Sequence, residues 1–453
     1  MPADGSPQPG GLILAAPASG SGKTLVTLAL LRRLARDGRR VVGAKAGPDY
    51  IDPTFHAAAC GLPCRNLDIW AMRSTTLAAT VAALGAGADL ILAEGVMGLF
   101  DGINLPDRPD AGSTADLAAL TGWPVVLIVD AGRQAASASA LLRGFATHRS
   151  DVTVAGVIFN RVGSAAHRDV LAAAAHRAVP QIAVLGFVPR DPALTLPERH
   201  LGLVPAGERA GLDAFLDHAA SVVGDAVDRV ALAALARPAA MPATSGPATP
   251  PIPPLGQRIA VARDAAFAFA YDSVLEGWRE AGAEILPFAP LADDAPDAGA
   301  DAVYLPGGWP ELHAGPLAAA TGFRTGLHMA AARGATIFGE CGGYMALGDG
   351  LVDAAGQRHA MAGLLPLETS FAARRLHLGY REVALHAAHP LGAVGSRFRG
   401  HEFHYASIVS EGPGQTLFHA ASARGDDLGT TGLVAGSVSG SFIHLIDRAA
   451  QQP

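Results

Sequence analysis

Two segments of this chain carry residue types whose spacing points to chemistry. The first is Ala16-Pro-Ala-Ser-Gly-Ser-Gly-Lys23-Thr24. Small residues let backbone N–H groups close around phosphate oxygens, a lysine neutralises them, and a threonine hydroxyl reaches Mg²⁺. Ser19, Gly20, Ser21, Gly22, Lys23 and Thr24 are therefore the expected ATP contacts, although Pro17 stands where the generic pattern has glycine. The second is Ile337-Phe-Gly-Glu-Cys341-Gly342-Gly343-Tyr344, a thiol on a turn of small residues between a strand and a helix. Such a turn exposes a nucleophile, and the helix N-terminus is expected to lower the thiol pKa. Gly308, in Tyr304-Leu-Pro-Gly-Gly308-Trp-Pro, and Gly342 are placed to offer oxyanion amides. His444, in Ser441-Phe-Ile-His-Leu-Ile, is the candidate general base. A lone buried cysteine is more often a small hydrophobe. The diglycine loop and the distal histidine favour the nucleophile reading.

Further acids accompany the phosphate loop. Lys45 and Asp49 lie in Lys-Ala-Gly-Pro-Asp-Tyr-Ile-Asp, and Glu94 and Asp101 in Glu-Gly-Val-Met-Gly-Leu-Phe-Asp-Gly. Ligands of open parallel sheets sit at the carboxyl ends of strands, so Thr24, Asp49 and Glu94 are expected to hold Mg²⁺. Glycine-lined acidic loops also leave room for a second substrate beside ATP. Other groupings read as ordinary structure. His56, Cys60 and Cys64 offer three ligands without a fourth, which favours packing. His401-Glu-Phe-His404 is one residue short of the spacing that puts two zinc ligands on one helix face. Arg374, Arg375, Tyr380 and Arg399–Tyr405 remain candidates to line a pocket.

The elements that must position these groups alternate between strand and helix. Gly11–Ala16, Val41–Lys45, Leu90–Glu94, Val125–Asp130 and Val154–Asn160 read as strands, and Lys23–Arg36 as an amphipathic helix. That alternation predicts an α/β fold with a doubly wound parallel sheet. A Pro- and Ala-rich stretch, 237–256, reads as a semi-rigid linker without helix or sheet. Strands resume at Arg258–Ala262, Asp301–Leu305 and Thr336–Gly339, so two α/β domains are expected, 10–236 and 257–448. With 453 residues the chain is long enough for both. A net charge of −7 without a Lys/Arg block argues against nucleic acid. Three cysteines cannot staple a chain of this size, and no apolar run spans a bilayer, so a cytoplasmic location with small-molecule partners is expected. A homodimer is the default assembly.

Taken together and in order, the motifs resemble the cobyrinic or hydrogenobyrinic acid a,c-diamide synthases. The matching segments include APASGSGKT, KAGPDYIDP, NLD with Trp70 and Met72, EGVMGLFDG, STADLA, GVIFNRVGS, LPERHLGLVPAGE, YLPGGWPE, FGECGGYM, LGYREV and RGHEFHY, from about residue 11 to 446. The resemblance implies an N-terminal P-loop domain like dethiobiotin synthetase and a C-terminal class I glutamine amidotransferase-like α/β domain. It implies that Cys341 attacks glutamine with His444 as base, and that ATP phosphorylates a corrin acetate for displacement by ammonia. Lys23, Thr24, Lys45 and Glu94 would serve ATP and Mg²⁺; Asp49, Tyr50, Ile51 and Asp101 would lie near the corrin; Asn160 would contact the adenine. Class I amidotransferases have Glu two residues after the catalytic His, where this chain has Ile446, so a Cys–His dyad is the better description. Cobyric acid synthase and other tetrapyrrole a,c-diamide synthases, sirohydrochlorin included, share these domain types. A partition-type P-loop ATPase is a different class, but it carries Lys after its first P-loop glycine, where this chain has Ala18. An amidotransferase half that is inert is opposed by the intact Cys341 and His444. Cobalt-containing and metal-free rings differ far from the acetates, so the motifs leave the ring state open.

Overall fold

The computed structural model describes residues 9–195, 198–199, 202–203, 211–241 and 249–450. The chain divides into two compact units between Gly246 and Pro247, with Ala71–Arg73 belonging to the second.

The first unit is built on β1 (Gly10–Ala15), β2 (Val41–Ala46), β3 (Arg65–Leu67), β4 (Leu90–Glu94), β5 (Val125–Asp130), β6 (Val154–Val162) and β7 (Ala183–Pro189). Their order is β3-β2-β4-β1-β5-β6-β7, and every pairing is parallel. Continuous apolar runs suit strands covered on both faces, and Leu12, Ile13, Leu92, Leu127 and Ile158 are fully buried. Helix α1 (Lys23–Arg36) buries Val26, Leu30 and Leu34 at helical spacing, and α2 (Asp52–Cys60) ends at Gly61 in the left-handed region. Register then sets the site. Lys45 of β2 and Leu14 of β1 both lie opposite Glu94 of β4, at the carboxyl end from which the phosphate loop leaves β1.

The second unit uses β8 (Arg258–Ala262), β9 (Glu284–Phe288), β10 (Ala302–Leu305), β11 (Thr336–Glu340), β12 (His377–Leu385), β13 (Arg397–His404), β14 (Gln415–Ser422), β15 (Asp427–Ala435), β16 (Val438–Ser441) and β17 (Ile443–Arg448). The order is β9-β8-β10-β11-β16-β15-β14-β12-β13-β17. Pairing is parallel from β9 to β16 and antiparallel from β16 to β17. Phe267, Phe323, Leu327, Tyr344 and Leu347 belong to its core, with α3 (Gly342–Leu347) fully buried directly after Cys341.

The expected linker needs correction at both ends. Arg237 exchanges two backbone hydrogen bonds with Gly11, at 2.7 and 3.1 Å, and Ala240 donates to Thr121 O. At the other end Ile252 and Leu255 are buried, and the Trp278 indole donates to Ile252 O at 3.1 Å. The first end is held by backbone hydrogen bonds and the second by apolar burial, so each packs on its own unit; residues 242–248 lie outside the described set. The motif 196–208 also lies outside it, apart from an antiparallel pairing of Glu198–Arg199 with Gly202–Leu203. Among the described residues no helix is long and apolar enough to cross a membrane.

Candidate active sites

The phosphate loop sits between β1 and α1 with Gly20 and Gly22 in the left-handed region, φ 78° and 89°. Gly22 is also required by space, because a β-carbon there would meet Asn160 Nδ2 at 2.1 Å. Asn160 donates that nitrogen to Ser21 O at 2.9 Å, and the Ser21 hydroxyl turns inward to Ala18 O. A cavity of about 710 Å³ opens here, lined by Ser19, Gly20, Gly22, Lys23 and Thr24 on one wall and by Lys45, Asp49, Glu94 and Asn160 on others.

A buried polar cluster forms its floor. Thr24 donates to Glu94 Oε1 at 2.6 Å, Lys45 donates to the same oxygen at 3.0 Å, and His56 Nε2 lies 2.7 Å from Glu94 Oε2. Lys45 also donates to Asp52. Burial opposes ionisation of Glu94, but Lys45 and His56 outweigh it and hold the carboxyl well below its usual range. Burial likewise opposes the Lys45 charge, and Asp52 and Glu94 overcome it, so this lysine stays protonated. Burial pushes Asp52 up to about 6. Lys23 is lowered to about 8, first by burial and then by Lys45; its ammonium donates to Met97 O at 3.0 Å. Met97 itself has φ 45°, a strained conformation for a residue with a side chain.

The structure separates the expected corrin contacts. Asp49 lines the cavity while its Oδ1 accepts from Ile51 N and Asp52 N at the start of α2. Tyr50 and Ile51 are buried and do not line it, because α2 begins at this point and turns both side chains into the core. Asp101 is exposed and accepts from Gly98 N at 2.8 Å, shaping the glycine loop. Asp52 and His56 escaped the sequence reading as site residues. Asp52 does stand before Pro53 at a helix start, but nothing local says that it faces Lys45. Arg161, which donates to Gly20 O at 3.0 Å, and the segment Pro189–Asp191 on the cavity wall were missed as well.

The second centre is an elbow. Cys341 follows β11 with φ 46° and ψ −102°, and is 2 % exposed. Its amide donates to Ser441 O at 2.8 Å. Glycines surround it because the backbones touch: a β-carbon on Gly343 would meet Leu305 O at 1.9 Å, and one on Gly342 would meet the Gly308 nitrogen at 2.9 Å. The Gly342 backbone thus stands against the Gly308 nitrogen. On the neighbouring residue of the same loop, Gly307, His444 packs closely. Cross-strand pairing sets His401 opposite His444 and His377 opposite His404.

The expected lowering of the Cys341 pKa is reversed. Burial pushes the thiol well up, and the nearby Glu311 adds to it, while the Gly342 amide opposes only in part. The thiol donates to Phe403 O at 3.8 Å. His444 is lowered to about 3 by burial, with His401 and His404 contributing, so the imidazole is neutral near pH 7. Near pH 7 both the thiol and the imidazole are therefore uncharged. His377, Glu402 and His404 bring ligand atoms within 4.8 Å of one another. The two rings stack at 4.6 Å with 5° between planes, so their in-plane lone pairs run parallel rather than converge, and Glu402 is already bound by Arg381 at 2.7 Å. His56 pairs with Cys64 at 3.3 Å as well as with Glu94, an arrangement of packing rather than metal binding. Arg374 and Arg375 are exposed. Tyr380 packs edge-on to His401.

Residues 12–204 match the CobQ/CobB/MinD/ParA nucleotide binding domain, and 258–451 match the CobB/CobQ-like glutamine amidotransferase domain. Hydrogenobyrinate a,c-diamide synthase of Brucella abortus biovar 1 (strain 9-941) is 56 % identical over 442 residues, covering 96 % of this chain and 98 % of that protein. The chain belongs to the hydrogenobyrinate a,c-diamide synthase family. Members from Rhizobium meliloti (strain 1021) and Rhodobacter capsulatus are 54 % and 53 % identical, covering 96 % and 97 % of the chain and 99 % of each relative. As a member of this family the protein is a glutamine-dependent amidating ligase that uses ATP. Solved structures match parts of the chain only weakly; PurLQS from Thermotoga maritima covers 41 % of it, and 86 % of that chain aligns, at 17 % identity with a TM-score of 0.28.

Proposed function

We propose that this enzyme converts the a and c acetate carboxylates of hydrogenobyrinic acid, the metal-free ring, to amides with glutamine as nitrogen donor. The relatives' names support the ring state. The observation that supports the mechanism is that a strained cysteine elbow and a neutral imidazole pack on neighbouring glycines of one loop, in a chain that also holds a phosphate cradle.

In the amidotransferase unit the Cys341 sulfur attacks the glutamine side-chain carbonyl carbon as the thiol proton passes to His444. The Gly308 and Gly342 amides stabilise the oxyanion. His444 returns the proton to the departing nitrogen, which leaves as ammonia, and water then hydrolyses the thioester to glutamate. In the other unit a substrate carboxylate oxygen attacks the γ-phosphorus of ATP, releasing ADP and leaving an acyl phosphate. Ammonia attacks the acyl carbon and phosphate departs. A carboxylate is a poor electrophile near neutral pH, and phosphorylation turns its oxygen into a leaving group. Lys23 and the loop amides bind the phosphates. The oxygen donors Thr24, Asp49 and Glu94 share one cavity and fit Mg²⁺, which when bound neutralises phosphate charge. Lys45 keeps Glu94 and Asp52 ionisable in the buried floor, and Asn160 supports the loop beside the nucleotide.

Mass spectrometry after incubation with hydrogenobyrinic acid, ATP, Mg²⁺ and glutamine tests this reading. Each amidation lowers the mass by about one unit, OH being replaced by NH₂. Two such steps are expected. Conversion of cobyrinic acid alone would overturn the ring assignment, and no shift with either ring would overturn the substrate class.

A further inference from the structure

The orienting carboxylate of class I amidotransferases has no counterpart at Ile446, which is fully buried and apolar. A different carboxylate stands behind the dyad. Glu340, the last residue of β11, is 3 % exposed and immediately precedes Cys341. Its two oxygens are separately engaged: Tyr304 donates its hydroxyl to Oε2 at 2.7 Å, and the Leu445 amide donates to Oε1 at 3.0 Å. Leu445 directly follows His444. Both partners are donors, so the ionised carboxylate satisfies both at once. Burial pushes its pKa up to about 7, while the Leu445 amide and the Tyr304 hydroxyl oppose the rise.

Topology explains why this bond matters. Among the described residues strand β17 ends the sheet order and pairs with β13 alone, so there the outward amide of Leu445 has no neighbouring strand to bond. An unsatisfied buried amide costs on the order of a lost hydrogen bond. Glu340 takes that amide. The main chain of Glu340 pairs with Ser441, and the next amide, that of Cys341, donates to Ser441 O at 2.8 Å. One residue thus spans from the nucleophile's backbone to the base's backbone.

We infer that Glu340 is a positioning residue: its main chain carries Cys341 and its carboxylate holds the His444–Leu445 peptide, which sets where the imidazole stands against Gly307. Orientation thus reaches the base through its backbone. The inference rests on the reading of Cys341 and His444 as nucleophile and base.

The test is steady-state glutaminase kinetics on the full chain for Glu340→Ala, Glu340→Asp and Glu340→Gln, beside Cys341→Ala, with ammonia-driven amidation as the measure of an intact second site. A misplaced base costs about 10²-fold in rate. Glu340→Ala and Glu340→Asp, whose side chain is one methylene too short to reach the Leu445 amide, should lose that much kcat with the glutamine KM held within about twofold. Glu340→Gln keeps an oxygen for that amide and should restore most of kcat. An unchanged kcat in Glu340→Asp, with Cys341→Ala inactive, would overturn the role of Glu340 and leave the nucleophile in place. A Glu340→Gln variant as impaired as Glu340→Asp would also overturn it. Glutaminase activity surviving in Cys341→Ala would remove the reading beneath. If Glu340→Ala loses the ammonia reaction too, it has not folded, and the Asp and Gln variants decide.

Discussion

Gly307 lies against His444 so closely that a β-carbon on it would stand 2.2 Å from the ring's Cε1 and 3.1 Å from Nε2. The glycine is there because the histidine occupies the space a side chain would need. Gly307→Ala should therefore push the imidazole away from the elbow without touching the phosphate cradle. Glutamate release should fall about 10²-fold, as expected for a base displaced by an ångström. Amidation driven by ammonium should persist, measured as product mass with ammonium salt replacing glutamine.

The two units predict separable losses. Cys341→Ala should abolish glutamine-driven amidation and keep the ammonia-driven reaction. Lys23→Ala should abolish both, because either nitrogen source needs the acyl phosphate. Measuring the product with each donor distinguishes the cases, and an active Lys23→Ala variant would sink the P-loop assignment.

Protonation states give a pH prediction. The His444 pKa is depressed to about 3, so the base is neutral and competent throughout the range where an ordinary histidine, near 6.5, gains its proton. The raised Cys341 pKa keeps the thiol protonated above the usual cysteine range. The kcat for glutamine hydrolysis should therefore show no acid limb from the imidazole near 6.5. It should stay flat between about pH 6 and pH 8, because Glu340, at about 7, keeps an acceptor oxygen for the Leu445 amide in either protonation state. The same states predict slow alkylation of Cys341 by iodoacetamide at pH 8 relative to a free thiol. A profile with a midpoint near 6.5 would show that the imidazole titrates in the exposed manner.

Glu94 anchors a buried cluster, with Lys45, His56 and Thr24 all bonded to it. Glu94→Ala leaves the Lys45 ammonium with Asp52 as its remaining carboxylate partner at bonding distance among the described residues. Removing one partner of a buried pair costs about 3–5 kcal/mol. Chemical denaturation of the first unit's transition should shift by that amount. Amidation should be lost with both nitrogen donors, while glutaminase activity remains.

Sequence alone determined much of this protein. The strands Leu90–Glu94, Val125–Asp130 and Arg258–Ala262 and the helix Lys23–Arg36 read correctly to the residue, because apolar runs and their period are local properties. The phosphate loop, the cysteine elbow and the family were legible for the same reason: each motif is a short contiguous string. Tertiary structure decided what depends on strands far apart in sequence. The antiparallel half of the second sheet joins residues 377–448 by long-range pairing, and only that pairing sets His401 beside His444 and lets the Leu445 amide reach Glu340. Asp52 and His56 became visible only when β2, β4 and α2 converged on Glu94. The sign of the Cys341 shift also required the fold, since the helix start is visible in sequence but the depth of burial and the approach of Glu311 are not. Residue types and spacing state which groups are available; the dielectric and the neighbours that set their charge arise only when distant segments pack.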